Sequence, residues 1–189
     1  MYWVYFALLV PLNNVLPISW GDENGVVETI QLLLLVSCMG VFSYYYGKKL
    51  LNWDGSSKAL CLSGIITFFL LMMREISWGR VFILRPDGGI SQYSDLGLYG
   101  KLVHPMIVIL IIAAIAFMYR AKVWNIFKHI RLRFQYVLSL VLFIAMARLG
   151  ESHYFSMYSG NLAEELSELG IYAMLFIILC DGFKQLRVK

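Results

Sequence analysis

No signature of a familiar catalyst or cofactor site can be read in this chain. It contains no GxSxG, HExxH, CxxC, Walker or dinucleotide fingerprint, and no Ser–His–Asp grouping at readable spacing. Enzymes of those classes are not indicated, and no cofactor is expected. Cysteine is sparse: Cys38, Cys61 and Cys180 form an odd set without a pairing motif, each inside an apolar stretch. That pattern argues against a disulfide framework or redox centre and for small hydrophobic packing. A metal site is not expected either. Glu151 and His153 are two residues apart, the wrong spacing for joint ligation from one helix face, and no i,i+3 Glu/His pair of the di-iron type occurs. Repeats, low-complexity segments and linkers are missing, as are the basic region and small-residue cleavage site of a signal peptide, so no cleaved leader is expected.

What is present is apolar sequence. Sixty per cent of the 189 residues are hydrophobic, and the mean hydropathy of +0.69 is too high for a soluble domain. A helical span needs about 20 apolar residues. Six stretches qualify: residues 2–20, 26–46, 59–78, 102–119, 132–150 and 162–183. Continuous apolar runs exclude the alternating pattern of a membrane barrel, and lipid tolerates only closed barrels or helices. The expectation is an all-α polytopic membrane protein of about six transmembrane helices, forming one domain over residues 1–189.

Charge divides sharply across these spans. Alternate connections carry 11 Lys/Arg and 2 Asp/Glu on one side, against 5 Lys/Arg and 10 Asp/Glu on the other. Bases in short loops mark the cytoplasmic face. Lys48, Lys49 and Lys58, the set Arg120, Lys122, Lys128, Arg131 and Arg133, and the terminal Lys184, Arg187 and Lys189 therefore face inward, with both termini in the cytoplasm. The localisation read from this is an integral protein of a bacterial inner (plasma) membrane. Were residues 2–20 not to cross, five spans would remain and the N-terminus would lie outside.

The remaining charges gather at one depth. Arg74 and Glu75 lie 16 and 17 residues beyond Lys58, about 24–26 Å along a helix against a hydrocarbon core of about 30 Å. Arg148 and Glu151 lie 15 and 18 residues beyond Arg133, a matching depth. Glu28 is 20 residues before Lys48, His104 opens the fourth span, and Glu164, Glu165 and Glu168 open the sixth. Ionisable groups this deep are site candidates by default. The candidate outer-leaflet cluster is thus Glu28, Arg74, Glu75, Arg80, His104, Arg148, Glu151, His153, Glu165 and Glu168.

Individual features carry two readings each. If helix continues through Arg80, Glu75 shares a face with Gly79 and Arg74 with Trp78. This gives either an anion-binding or acid–base group under an interfacial Trp, or an interhelical ion pair with Arg148 and Glu151. His104-Pro105 reads as a helix N-terminus, and Asn161 with Glu164 as a capping box. Asn13 and Asn14, between Pro11 and Pro17, interrupt the first span. The cytoplasmic stretch 120–133 interleaves Arg120, Lys122, Lys128, Arg131 and Arg133 with Trp124 and other apolar residues. It reads as a positive-inside loop, or as a segment that docks on anionic lipid or an acidic partner. Nucleic-acid binding is not expected of so short a basic stretch against a bilayer.

The string Glu75-Ile76-Ser77-Trp78-Gly79-Arg80-Val81-Phe82 resembles an EISWG-type motif of uncharacterised bacterial multi-span membrane proteins. There an acid precedes the Glu and Gln follows the Gly; here Arg74 and Arg80 stand at those positions. The resemblance spans about eight residues and implies membrane embedding without an activity. The leading functional expectation is a non-enzymatic membrane sensor or anchor, of the kind found in bacterial stress and antiphage defence. Its partners would be membrane lipids, a cytoplasmic effector on the basic face, and further copies of itself. The alternatives are an enzyme acting on lipid or lipid-linked substrate at the outer leaflet, and a channel or proton-coupled transporter. Few polar groups at mid-membrane depth (Asn13, Asn14, Gln31, Gln135 and small hydroxyls) weigh against the last.

Overall fold

Backbone groups in hydrocarbon must bond within their own segment, and the apolar stretches accordingly form helices. A computed structural model describes residues 9, 11–12, 15–21, 25–48, 55–83, 91–130, 132–151 and 160–187. The helices are α1 (Val26–Lys48), α2 (Gly55–Glu75), α3 (Gly97–Arg120), the short α4 (Val123–His129), α5 (Phe134–Glu151) and α6 (Gly160–Arg187). Single 3-10 turns occupy Ile18–Gly21 and Tyr93–Leu96, and a kinked 3-10 segment with non-helical backbone at Trp78 and Gly79 runs over Ser77–Phe82. Among the described residues, four helices are long and apolar enough to cross a membrane, and Phe134–Gly150 is a shorter apolar helix. The protein is all-α and membrane-spanning. The first apolar stretch lies largely outside the described residues, Asn13 and Asn14 included; helical geometry is lost at Leu16 and Pro17.

Two compact units emerge, one from Met1–Leu34 with Arg131–Gln185, the other from Leu35–Ile130 with Leu186–Lys189. In the first, the start of α1 packs with α5, α6 and the N-terminal segment. Its core holds Leu9, Val27, Tyr136, Phe143, Leu162, Leu166 and Met174. Gly170 makes the α5–α6 approach possible: a Cβ there would stand 2.7 Å from the Phe143 ring. In the second, α2 packs along α3, and both carry the connection between them. Gly64 receives the Phe42 ring face, in the space a Cβ would need. Without a hydrophobic force between helices in lipid, such close approaches supply much of the packing energy. Ala114 of α3 is buried, whereas Ala116 on the same helix and Ala145 on α5 face outward.

Three boundaries differ from the sequence reading. Helix α2 stops at Glu75, not Trp78, because Ser77 and Trp78 adopt left-handed φ of 45° and 56°. The faces expected to run through Arg80 therefore do not exist. Helix α3 begins at Gly97, so His104 and Pro105 sit inside it and do not form its N-terminus. The Pro105 ring is tolerated at a solvent- or lipid-exposed position, where the freed carbonyl one turn earlier can find other donors. Helix α6 begins at Gly160, one residue before the Asn161 expected to cap it, and the Asn161 side chain lies outside the described residues.

Candidate functional site

The first unit buries polar groups that its helices bring together from distant sequence. Glu28 and Gln31 occupy one face of the first turns of α1, three residues apart, and both are buried. Gln31 Nε2 donates at 2.8 Å to the Glu165 carbonyl oxygen and at 2.8 Å to Glu165 Oε2. Both amide hydrogens are thereby used, which fixes the orientation of the amide and leaves Gln31 Oε1 buried with no hydrogen-bond partner among the described residues. Gln31 is fully buried, at 0% exposure. Beside Glu165, the Ser167 hydroxyl bonds back to the Ala163 carbonyl at 2.7 Å, and Glu168 is half-buried. Ser139 on α5 is buried, and its hydroxyl has no hydrogen-bond partner among the described residues. The Glu165–Gln31 contact is a hydrogen-bonded tie between helices whose residues are 134 positions apart.

Arg148 is exposed in the last turn of α5. Glu151 closes the same helix, but its side chain and all of His153 lie outside the described residues. Their expected part in the site, including cross-pairing with Arg74 and Glu75, falls outside with them.

The second unit holds the other candidates. Arg74 Nε stands 3.9 Å from Glu75 Oε1, with side chains 62% and 7% exposed. The two neighbours meet at the end of α2 in a long contact. Beyond it the EISWG string forms a left-handed turn. Gly79 N–H donates to the Ile76 carbonyl at 2.7 Å, and Gly79 itself has φ of 80°. The Tyr99 hydroxyl, from α3, donates to the Trp78 carbonyl. Arg80 Nε donates to the Ser77 carbonyl at 3.2 Å, and its guanidinium carbon lies 4.4 Å from the centroid of the Tyr93 ring. The same ring meets His104 edge-on at 5.0 Å. Arg80 and His104 are thus brought together through Tyr93, a residue the sequence offers no reason to single out.

At the other end of α3, the basic segment is ordered by a reversal. Ala121 is buried, and its carbonyl accepts the Ser56 hydroxyl at 2.7 Å. Lys122 then takes the left-handed conformation, φ 50°, and its carbonyl receives the Asn125 N–H at 2.8 Å, starting α4. The turn leaves Arg120 and Lys122 exposed and Trp124 82% exposed. Arg133, in the first unit, is exposed, its guanidinium 5.8 Å from the Tyr136 ring centroid. Arg131 and the Lys128 side chain lie outside the described residues.

Among the described residues, no group of three or more His, Cys, Asp or Glu side chains is placed to hold a metal ion. Compared with known proteins, the chain matches no family model, no curated protein and no solved structure.

Proposed function

We propose that the protein is a non-enzymatic sensor or anchor of a bacterial inner (plasma) membrane, crossing it six times with both termini in the cytoplasm. Its outer polar groups would register a ligand or envelope disturbance, and its basic inner face would hold a soluble effector. The observation that carries this reading is the opposition of charge, 11 Lys/Arg against 2 Asp/Glu on the connections assigned inward and 5 against 10 on those assigned outward. The reversal at Lys122 adds to it, presenting two bases and a bare Trp124 on one short segment. A protruding aromatic flanked by bases suits an acidic protein surface, since interfaces concentrate their energy in Trp and Arg. The EISWG-type resemblance and the membrane components of stress and antiphage defence systems offer a class-level parallel only. Self-association fits the polar groups within short helices; nucleic acid has no place in this account.

The test is co-purification of the full chain from its native membrane. Replacing Arg120 and Lys122 with Gln and Trp124 with Ala is expected to reduce a co-purifying cytoplasmic protein by about tenfold or more, with membrane insertion unchanged. Absence of any cytoplasmic partner on the wild-type chain contradicts the proposal.

A further inference from the structure

The α2–α3 connection holds a guanidinium in place at the membrane boundary. Helix α2 has 21 residues, about 32 Å of rise against a core of about 30 Å. The residues after Glu75 therefore stand at the depth of lipid headgroups. Two consecutive non-glycine residues in the left-handed region, Ser77 and Trp78, are retained only where their surroundings over-determine them. Here the strained turn aims the Ser77 carbonyl at Arg80 Nε, while Tyr99 holds the next carbonyl from α3. Tyr93 supplies the second wall, its ring beneath the guanidinium and its edge contact on His104. Tyr93 is itself fixed, because its carbonyl lies against Gly100 where a methyl group would not fit.

Arg80 is thus restrained through Nε and through one face, and its terminal NH2 groups meet no carboxylate among the described residues. The acid on the adjoining turn, Asp95, is occupied: Oδ2 accepts the Gln92 N–H at 3.0 Å and Oδ1 the Ser94 hydroxyl at 3.1 Å. Glu75, at the end of α2, has its carboxylate beside Arg74. Lys101 is exposed one turn before His104 on the same face of α3. A planar fork of donors, restrained at Nε and on one face, matches paired phosphate oxygens better than a mobile point charge does.

We infer that Arg80, held by Ser77 and Tyr93, recognises a phosphate group at the membrane surface, with His104 against the Tyr93 ring and Lys101 one turn before it on the same face of α3. The group belongs either to an anionic lipid headgroup or to free phosphate. This names the ligand class of the sensing face proposed above and rests on that reading for its biological sense, though not for its chemistry.

The experiment uses the purified full chain in neutral detergent, with binding read by native mass spectrometry and thermal shift. The probes are phosphatidylglycerol, a diacylglycerol of the same acyl chains, and inorganic phosphate. Wild type is expected to retain phosphatidylglycerol and not diacylglycerol. Arg80→Gln and Arg80→Lys each weaken retention about tenfold, the second because it keeps the charge but loses the stacked fork. Lys101→Gln, at an exposed position, weakens it about threefold and guards against misfolding of the Arg80 variants. An Arg80-dependent shift with inorganic phosphate alone upholds the site and assigns the free anion as its source. Equal retention by wild type, Arg80→Gln and Lys101→Gln, or equal retention of diacylglycerol, overturns it. Effector recruitment is read separately, so losing the phosphate site leaves that proposal standing, and the reverse.

Discussion

Replacing Gln31 with Leu is expected to destabilise the protein by about 2 kcal/mol, measured by reversible unfolding in mixed micelles. The substitution removes two 2.8 Å bonds to Glu165 and leaves a carboxylate oxygen and a carbonyl in an apolar core with fewer donors. Interhelical hydrogen bonds in membranes are usually worth about 0.6–2 kcal/mol. Two bonds from one amide put this pair near the top of that range. Loss of Oε1, unpartnered among the described residues, offsets a part, since a buried acceptor without a donor is itself unfavourable. A double-mutant cycle with Glu165→Leu isolates the side-chain bond, because that variant has no side-chain acceptor while the bond to the backbone carbonyl of residue 165 survives; a coupling of about 1 kcal/mol is expected. Gln31→Leu without effect, or no coupling to Glu165, contradicts the account of this contact.

The larger effect falls on Gly64. The Phe42 ring occupies the place of a Cβ on Gly64, and Phe42 also meets Phe68 at 6.0 Å, so the ring cannot retreat freely. Gly64→Leu is expected to cost about 3 kcal/mol or more through overpacking. Adding Phe42→Ala to it recovers a substantial part, because each change fills or empties the same space. Additive losses in the double variant would show that the two residues are not in contact. A smaller Gly64→Ala penalty, with the ring displaced by about an ångström because a Cβ would stand 2.3 Å from it, completes the series.

Hydropathy alone places the helices to within a few residues where the apolar run is long, since lipid leaves the backbone no other choice. Legibility fails at the connections. Helical periodicity runs through Arg74-Glu75 into the EISWG string without a break, and nothing local announces that Ser77 and Trp78 turn left-handed; for a Trp that conformation is imposed by tertiary contacts such as the Tyr99 bond. The same applies to His104, which looked like a start signal but sits well inside α3, where Pro105 costs little at an exposed position. Glu28, Glu165, Arg80 and His104 stand out in the sequence as ionisable residues near the ends of apolar stretches. Their immediate neighbours do not: Gln31 appears only as a polar residue in a span, and its bond to Glu165 crosses 134 positions of chain. Tyr93 has no sequence signal at all, because its importance comes from what lies above and beside its ring.

The central claim is that the two ends of α3 lie on opposite sides of the membrane, the Tyr93–Leu96 turn outside and the Arg120–Trp124 segment inside. With Cys38, Cys61 and Cys180 replaced by Ala, single cysteines at Ser94 and at Trp124, both exposed, can be tested with a membrane-impermeant maleimide on intact cells. Ser94→Cys should label at once, and Trp124→Cys only after permeabilisation. Labelling of Trp124→Cys in intact cells, with Ser94→Cys protected, would reverse the orientation and remove the basis for both the outer phosphate site and the inner docking face.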